Sequence, residues 1–149
     1  MIHVQKTALV PYSLSEMYRL VSNVKGYPEF LPWCQAVVIE SQTETEEETR
    51  LTATIKMGSI GLGHAFSTDN ILRQNESIHI ELLKGPFNHL QGHWHFKALG
   101  DIGCKISLDM KFEISNKLLS VSLSPIFAKI LNSLIDAFIK QANELYGKS

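Results

Sequence analysis

His93 and His95 stand two residues apart, so in an extended strand both imidazoles leave the same face, which is half of what a metal site needs. Spacing supplies no third ligand, and Trp94 and Phe96 hold the alternate positions, so the pair reads as solvent-facing histidines on a strand with an apolar back. Gly58-Ser-Ile-Gly-Leu-Gly63 has the glycine density of a phosphate loop. It lacks the P-loop lysine and joins two alternating stretches instead of opening a helix, and a hairpin turn is its reading. Cys34 and Cys104 are far apart and outside any C-x-x-C spacing, which argues against a disulfide framework or zinc and fits a reducing cytoplasm. Glu81, Asp109 and Asn70 could do acid–base chemistry only if the fold brought them to one hollow, and spacing does not place them there. No nucleophile elbow or paired-carboxylate pattern is present, so no catalytic residue and no metal ligand is assigned.

The charges nearly cancel, at a formal −1, which excludes a strongly basic nucleic-acid domain and any DNA-binding role built on one. A local patch is still available. His93, His95, Lys97, Lys105 and Lys111 share the outward parity of two strands, a row that is either an ordinary solvated strand face, the favoured reading because Asp109 dilutes it, or a basic patch for ribosomal RNA. Glu40, Glu44 and Glu46-Glu-Glu48 make an acidic hairpin that reads as solvation.

The elements that carry these side chains follow from periodicity. Ile2 to Val10 is a strand stopped by Pro11, and Ser13-Leu-Ser-Glu16 is a capping box opening a short helix from Leu14 to about Val21. Pro28 and Pro32 allow at most one further turn around Glu29-Phe30-Leu31. From Cys34 to Ile114 the pattern alternates, with breaks at Thr43–Glu48, Gly58–Gly63, Gln74–Ser77, Gly85–Asn88 and Gly100–Gly103, giving six strands joined by hairpins. Leu90, Gly92, Trp94, Phe96 and Ala98 point one way, as do Ile106, Leu108, Met110 and Phe112. After Asn116 the period returns to 3.6 up to Tyr146, with Leu123, Phe127, Leu131, Leu134, Phe138, Ala142 and Leu145 as one stripe. Pro125 should kink this helix or restart it with Ser124 as the cap. No apolar run is read as approaching a membrane-spanning length, and the N-terminus lacks the pattern of a secretory or transit signal.

The expected architecture is α+β over residues 1–149 as one domain: a seven-stranded curved antiparallel sheet wrapped around a long C-terminal helix, with two short helices after the first strand. Such a sheet leaves space beneath the helix. Phe66, Trp94, Phe96, Leu108, Met110, Phe127, Leu131, Leu134 and Phe138 face it and either line it as an apolar binding site or simply fill it as core, and residue type alone favours core. Tyr27, Phe30, Trp33, Pro86 and Phe87, on loops, are expected at its mouth.

Val10-Pro-Tyr-Ser13, Tyr27-Pro-Glu-Phe-Leu-Pro-Trp-Cys34, Gly85-Pro-Phe87 with Leu90-x-Gly-x-Trp-x-Phe96, and Phe112-Glu-x-x-Asn-Lys-Leu118 carry a resemblance over nearly the whole chain. The sequence resembles the coenzyme Q-binding START-domain family, polyketide cyclase/dehydrase-like, whose bacterial branch includes a ribosome association toxin. The resemblance implies a START-like helix-grip fold in which those inward residues line a site, and an apolar ligand, ubiquinone or a similar isoprenoid quinone, bound without catalysis, with no other cofactor. It implies as partners a lipid, a transient membrane surface, and in the bacterial branch the large ribosomal subunit. A ribosome-associated factor that blocks subunit joining is the alternative, and a small polyketide cyclase or dehydratase is a second.

Overall fold

The computed structural model describes residues 1–58 and 64–147, so the expected Gly58–Gly63 turn falls largely outside the described residues. β1 (Ile2–Val10) leads through Pro11 into α1 (Leu14–Ser22). The capping box forms: the Ser13 hydroxyl accepts from the Glu16 amide at 3.2 Å and the Glu16 carboxylate accepts from the Ser13 amide at 3.1 Å. A 3-10 turn over Val24–Glu29 follows and tolerates Pro28 because it is so short. Six strands come next: β2 (Cys34–Glu44), β3 (Thr49–Met57), β4 (Ala65–Arg73), β5 (Ser77–Lys84), β6 (Phe87–Ala98) and β7 (Cys104–Ile114). The chain ends in α2 (Lys117–Tyr146), whose cap Asn116 accepts from the amides of Leu118 and Leu119.

The sheet is antiparallel throughout, in the order β1-β7-β6-β5-β4-β3-β2. Strands β2 to β7 form a continuous meander, and β1 returns to pair with β7, Ile2 opposite Phe112 and Val10 opposite Cys104. Register breaks between Cys34 and Ala36, Ile39 and Ser41, and Phe87 and His89 mark bulges, the devices by which a sheet bends around a helix. Two glycines let backbones approach. A Cβ on Gly103 would lie 1.9 Å from the Val10 carbonyl oxygen, and its φ of +146° is open to glycine alone; a Cβ on Gly92 would lie 2.2 Å from the Asp109 oxygen and 2.3 Å from Met110 Sδ.

Helix α2 buries Leu123, Phe127, Leu131, Leu134, Phe138 and Ala142 against the inward face of the sheet. Four expectations change here. The restart at Ser124 does not occur: α2 runs unbroken through Pro125, and the Ser124 hydroxyl pairs with that of Ser120 at 2.8 Å. Val121, whose carbonyl Pro125 leaves without an amide, is 78% exposed, so water can take that bond and the helix needs no new cap. Leu145 is exposed, because the last turn presents Tyr146 inward instead, 6.0 Å from the Tyr12 ring. Ala98, at the fraying end of β6, is exposed as well. Finally, α2 is by length and composition apolar enough to cross a bilayer. Its largest apolar side chains are spent on the sheet.

Candidate functional site

Between α2 and the inward face of β3 to β7 lies a cavity of about 80 Å³. Strand parity builds its walls. Phe66, Thr68, Asn70 and Leu72 descend along β4, Ile78 and Ile80 along β5, Leu90 and Trp94 along β6, and Met110 on β7; Phe127, Ile130, Leu131 and Leu134 roof it from α2. Val21 and Val24, with Tyr27 and Trp33 from the proline-rich elbow, close one side. Tyr27, Trp33 and Ile80 are the half-buried lining residues and the others are buried, so the thinnest wall is the elbow.

Of the residues expected to line the space, Phe66, Trp94, Met110, Phe127, Leu131 and Leu134 do so. Phe96, Leu108 and Phe138 do not reach it. Phe96 packs on Tyr18 at 5.4 Å, Phe138 is fully buried among Tyr27, Phe30 and Trp94 at 5.4 Å, and Leu108 lies beneath them in the sheet core. Of the expected mouth, Tyr27 and Trp33 touch the cavity. Phe30 stands behind Tyr27, ring centroids 6.3 Å apart. Phe87 is buried behind Phe66 and Phe127, at 5.7 and 5.1 Å, and Pro86 is tied through its carbonyl to the Ser115 amide at 2.9 Å. The loop aromatic is thus core because the Phe87–His89 bulge turns it inward.

One feature of the lining carries no signal in the alternation rule. Thr68 and Asn70 are buried polar residues, 3% and 6% exposed, on the apolar face of β4. The Asn70 amide nitrogen donates to the carbonyls of Leu51 at 3.1 Å and Thr68 at 3.2 Å and to the Thr68 hydroxyl oxygen at 3.1 Å. Glu81 and Asp109 stay outside. Glu81 pairs with His79 at 3.2 Å, and Asp109 accepts from Gln5 at 2.9 Å and from His3 at 2.7 Å, bonds that hold its carboxyl below the usual carboxylate range. Inside, the Tyr27 hydroxyl donates to the Val21 carbonyl, and burial, then the nearby Cys34, pushes its pKa far up, so it remains neutral. Burial likewise pushes the Cys34 thiol up to about 11 and raises that of Cys104, leaving two inert thiols.

On the opposite face, His93, His95, Lys97, Lys105 and Lys111 share the outward side of β6 and β7 as expected from their parity. The rings of His93 and His95 are 4.4 Å apart, and among the described residues no three histidine, cysteine or carboxylate side chains gather at metal-binding separation. Lys97 faces Lys105 across the ladder. Among the described residues none of the three lysines sits within ion-pair distance of a carboxylate.

A family model described as polyketide cyclase/dehydrase and lipid transport matches residues 10–139. The chain is 42% identical over 145 residues to the ribosome association toxin RatA of Pseudomonas aeruginosa, covering 97% of this chain and 98% of that one. It is 26% identical over 140 residues to the mitochondrial coenzyme Q-binding protein coq10 of Schizosaccharomyces pombe, covering 90% and 82%. The fold superposes on a START superfamily protein from Mycobacterium smegmatis with a TM-score of 0.76 at 20% identity, over 96% of this chain and 98% of that one.

Proposed function

The chain belongs to the polyketide cyclase/dehydrase and lipid transport family, and we propose that it holds an apolar small molecule of the isoprenoid-quinone class without transforming it. The observation that carries this reading is the partly open space under α2, walled by aromatic and aliphatic side chains and bordered by an elbow instead of by packed sheet. At about 80 Å³ the space falls well short of the roughly 300–1,000 Å³ of sites for drug-sized ligands. Loading therefore requires the Tyr27–Trp33 elbow to swing away from α2. The gain available is large: each five-carbon unit buried contributes on the order of 3–4 kcal/mol before ordering costs. The protein would act in the cytoplasm, sequestering the ligand or presenting it at a membrane surface. Organic extraction of the purified protein followed by mass spectrometry tests this, and is expected to release a prenylated quinone or its reduced hydroquinone in near-stoichiometric amount. An empty protein from quinone-rich cells overturns it.

A second reading is association with the large ribosomal subunit, interfering with subunit joining. Two observations favour it: the 42% identity to a relative named for ribosome association, and the unpaired lysines of β6 and β7. Like charges set directly opposite each other destabilise a sheet, so the Lys97–Lys105 pair is easier to account for if an anionic partner covers it. Sedimentation profiles of ribosomes with the unmodified protein and with Lys97→Glu/Lys105→Glu test this reading, which predicts that subunit binding is lost in the double variant while ligand retention is unchanged.

A further inference from the structure

We propose that Asn70 and Thr68 are the recognition point of the cavity and select a ligand bearing a hydroxyl, a prenylated phenol or hydroquinone, over the carbonyl-only oxidised quinone. The inference rests on the apolar-ligand reading above and names the ligand chemistry that reading leaves open.

The bond pattern fixes the orientation of the amide. The carbonyls of Leu51 and Thr68 can only accept, so the atom facing them is the nitrogen, and its protons are committed. The oxygen Oδ1 is then left with two lone pairs and accepts from no described residue. Among the described residues no fully enclosed side-chain oxygen or nitrogen lacks a partner, so Oδ1 borders open space. Asn70 also borders a groove on the outer face beside Asp69 and Ile71, but its side chain is buried on the inward parity of β4 with Phe66, Thr68 and Leu72, so the space before Oδ1 is taken as the cavity. The Thr68 hydroxyl accepts from Asn70 and gives its own proton to no described group. The two side chains therefore offer one acceptor and one donor side by side in an otherwise apolar lining. A hydroxyl group, which both donates and accepts, is the complement of that pair. A ketone or an ether can use only the Thr68 proton, and its own oxygen then sits against the Asn70 lone pairs with both desolvated, which is costly.

The test uses three matched probes, 4-geranylphenol, 4-geranylanisole and 2-geranyl-1,4-benzoquinone, titrated into the purified protein. Trp33 and Trp94 both line the cavity and are the chain's two tryptophans, so their fluorescence reports entry. The phenol is expected to bind about tenfold more tightly than the anisole or the quinone. Asn70→Leu should erase that preference while anisole binding is kept, and Thr68→Val should reduce phenol affinity by a smaller factor. Equal affinity for phenol and anisole in the unmodified protein overturns the inference and leaves the carrier reading standing. If none of the three binds, the carrier reading falls and this inference with it. The unmodified comparison decides the matter even if Asn70→Leu does not fold.

Discussion

Gly92 and His93 are neighbours on β6 with opposite constraints. At Gly92 the sheet backbone and Met110 occupy the volume where a side chain would begin. Gly92→Ala should therefore lower stability by about 1–3 kcal/mol or more through overpacking, read as a shift in the urea midpoint. His93 faces outward, with His95 beside it, Asp109 opposite on β7 and His79 opposite on β5. Partial burial, then His95, lower its pKa; Asp109 opposes them and His79 adds to them. The unfolded imidazole titrates near ~6.5 and so binds more protons than the folded one just below that value. This contribution to stability is complete above about pH 6.5 and lost as pH falls through the lower folded value. Urea midpoints at pH 7.5, 6.5 and 5.5 should decline more steeply for the unmodified protein than for His93→Gln. At this scale the sequence is readable wherever parity and polarity agree, as at Trp94 and Met110. It is unreadable at Asn70, since a polar residue inside a strand gives no sign that it faces inward until its neighbours' carbonyls are seen to claim its amide. It also misleads at Phe87, where a bulge reverses the direction that a loop position suggests.

Among the elements, α2 carries the largest share of the core, and its ends and its proline are its adjustable parts. Pro125→Ala supplies the missing amide to the Val121 carbonyl and removes the ring's clash, so it should stabilise the protein by roughly 1–3 kcal/mol, measured by thermal unfolding. Asn116→Ala strips the bonds to the Leu118 and Leu119 amides and should cost about 1 kcal/mol. The element order and most boundaries can be read from the sequence because period two and period 3.6 alternate cleanly and the capping residues stand where each helix begins. The unbroken passage through Pro125 cannot, because it depends on Val121 facing water, a property of the packed helix and not of the residue type.

Taken whole, the molecule keeps its outward lysine row and its acidic hairpin apart along the sheet, although Asp109 and Glu113 share β7 with two of those lysines. Lys97, Lys105 and Lys111 sit on β6 and β7, whereas Glu40, Glu44 and Glu46 to Glu48 lie on β2 and the turn to β3, four to five strands away. At ~4.8 Å per strand that is about 19–24 Å, beyond the ~8 Å over which charges feel each other at physiological ionic strength. The basic face therefore acts on an anionic partner as though the acidic edge were absent. Ribosome association, if it uses this face, should weaken steeply between 50 and 200 mM salt, whereas retention of an extracted lipid should not. Net charge, read from composition, hides this arrangement entirely.

The pairing of β1 with β7 has a consequence for how the protein is made. β1 is made before its partner β7, and at about 5–20 residues per second the wait is on the order of 5–20 s. During that interval Val4 and Val10 have no sheet to join, and the meander from β2 to β7 must assemble without its outermost member. The sheet is closed on that side only when β1, made before the other strands described, joins β7, made after them; until then the β7 edge stands open to any other strand.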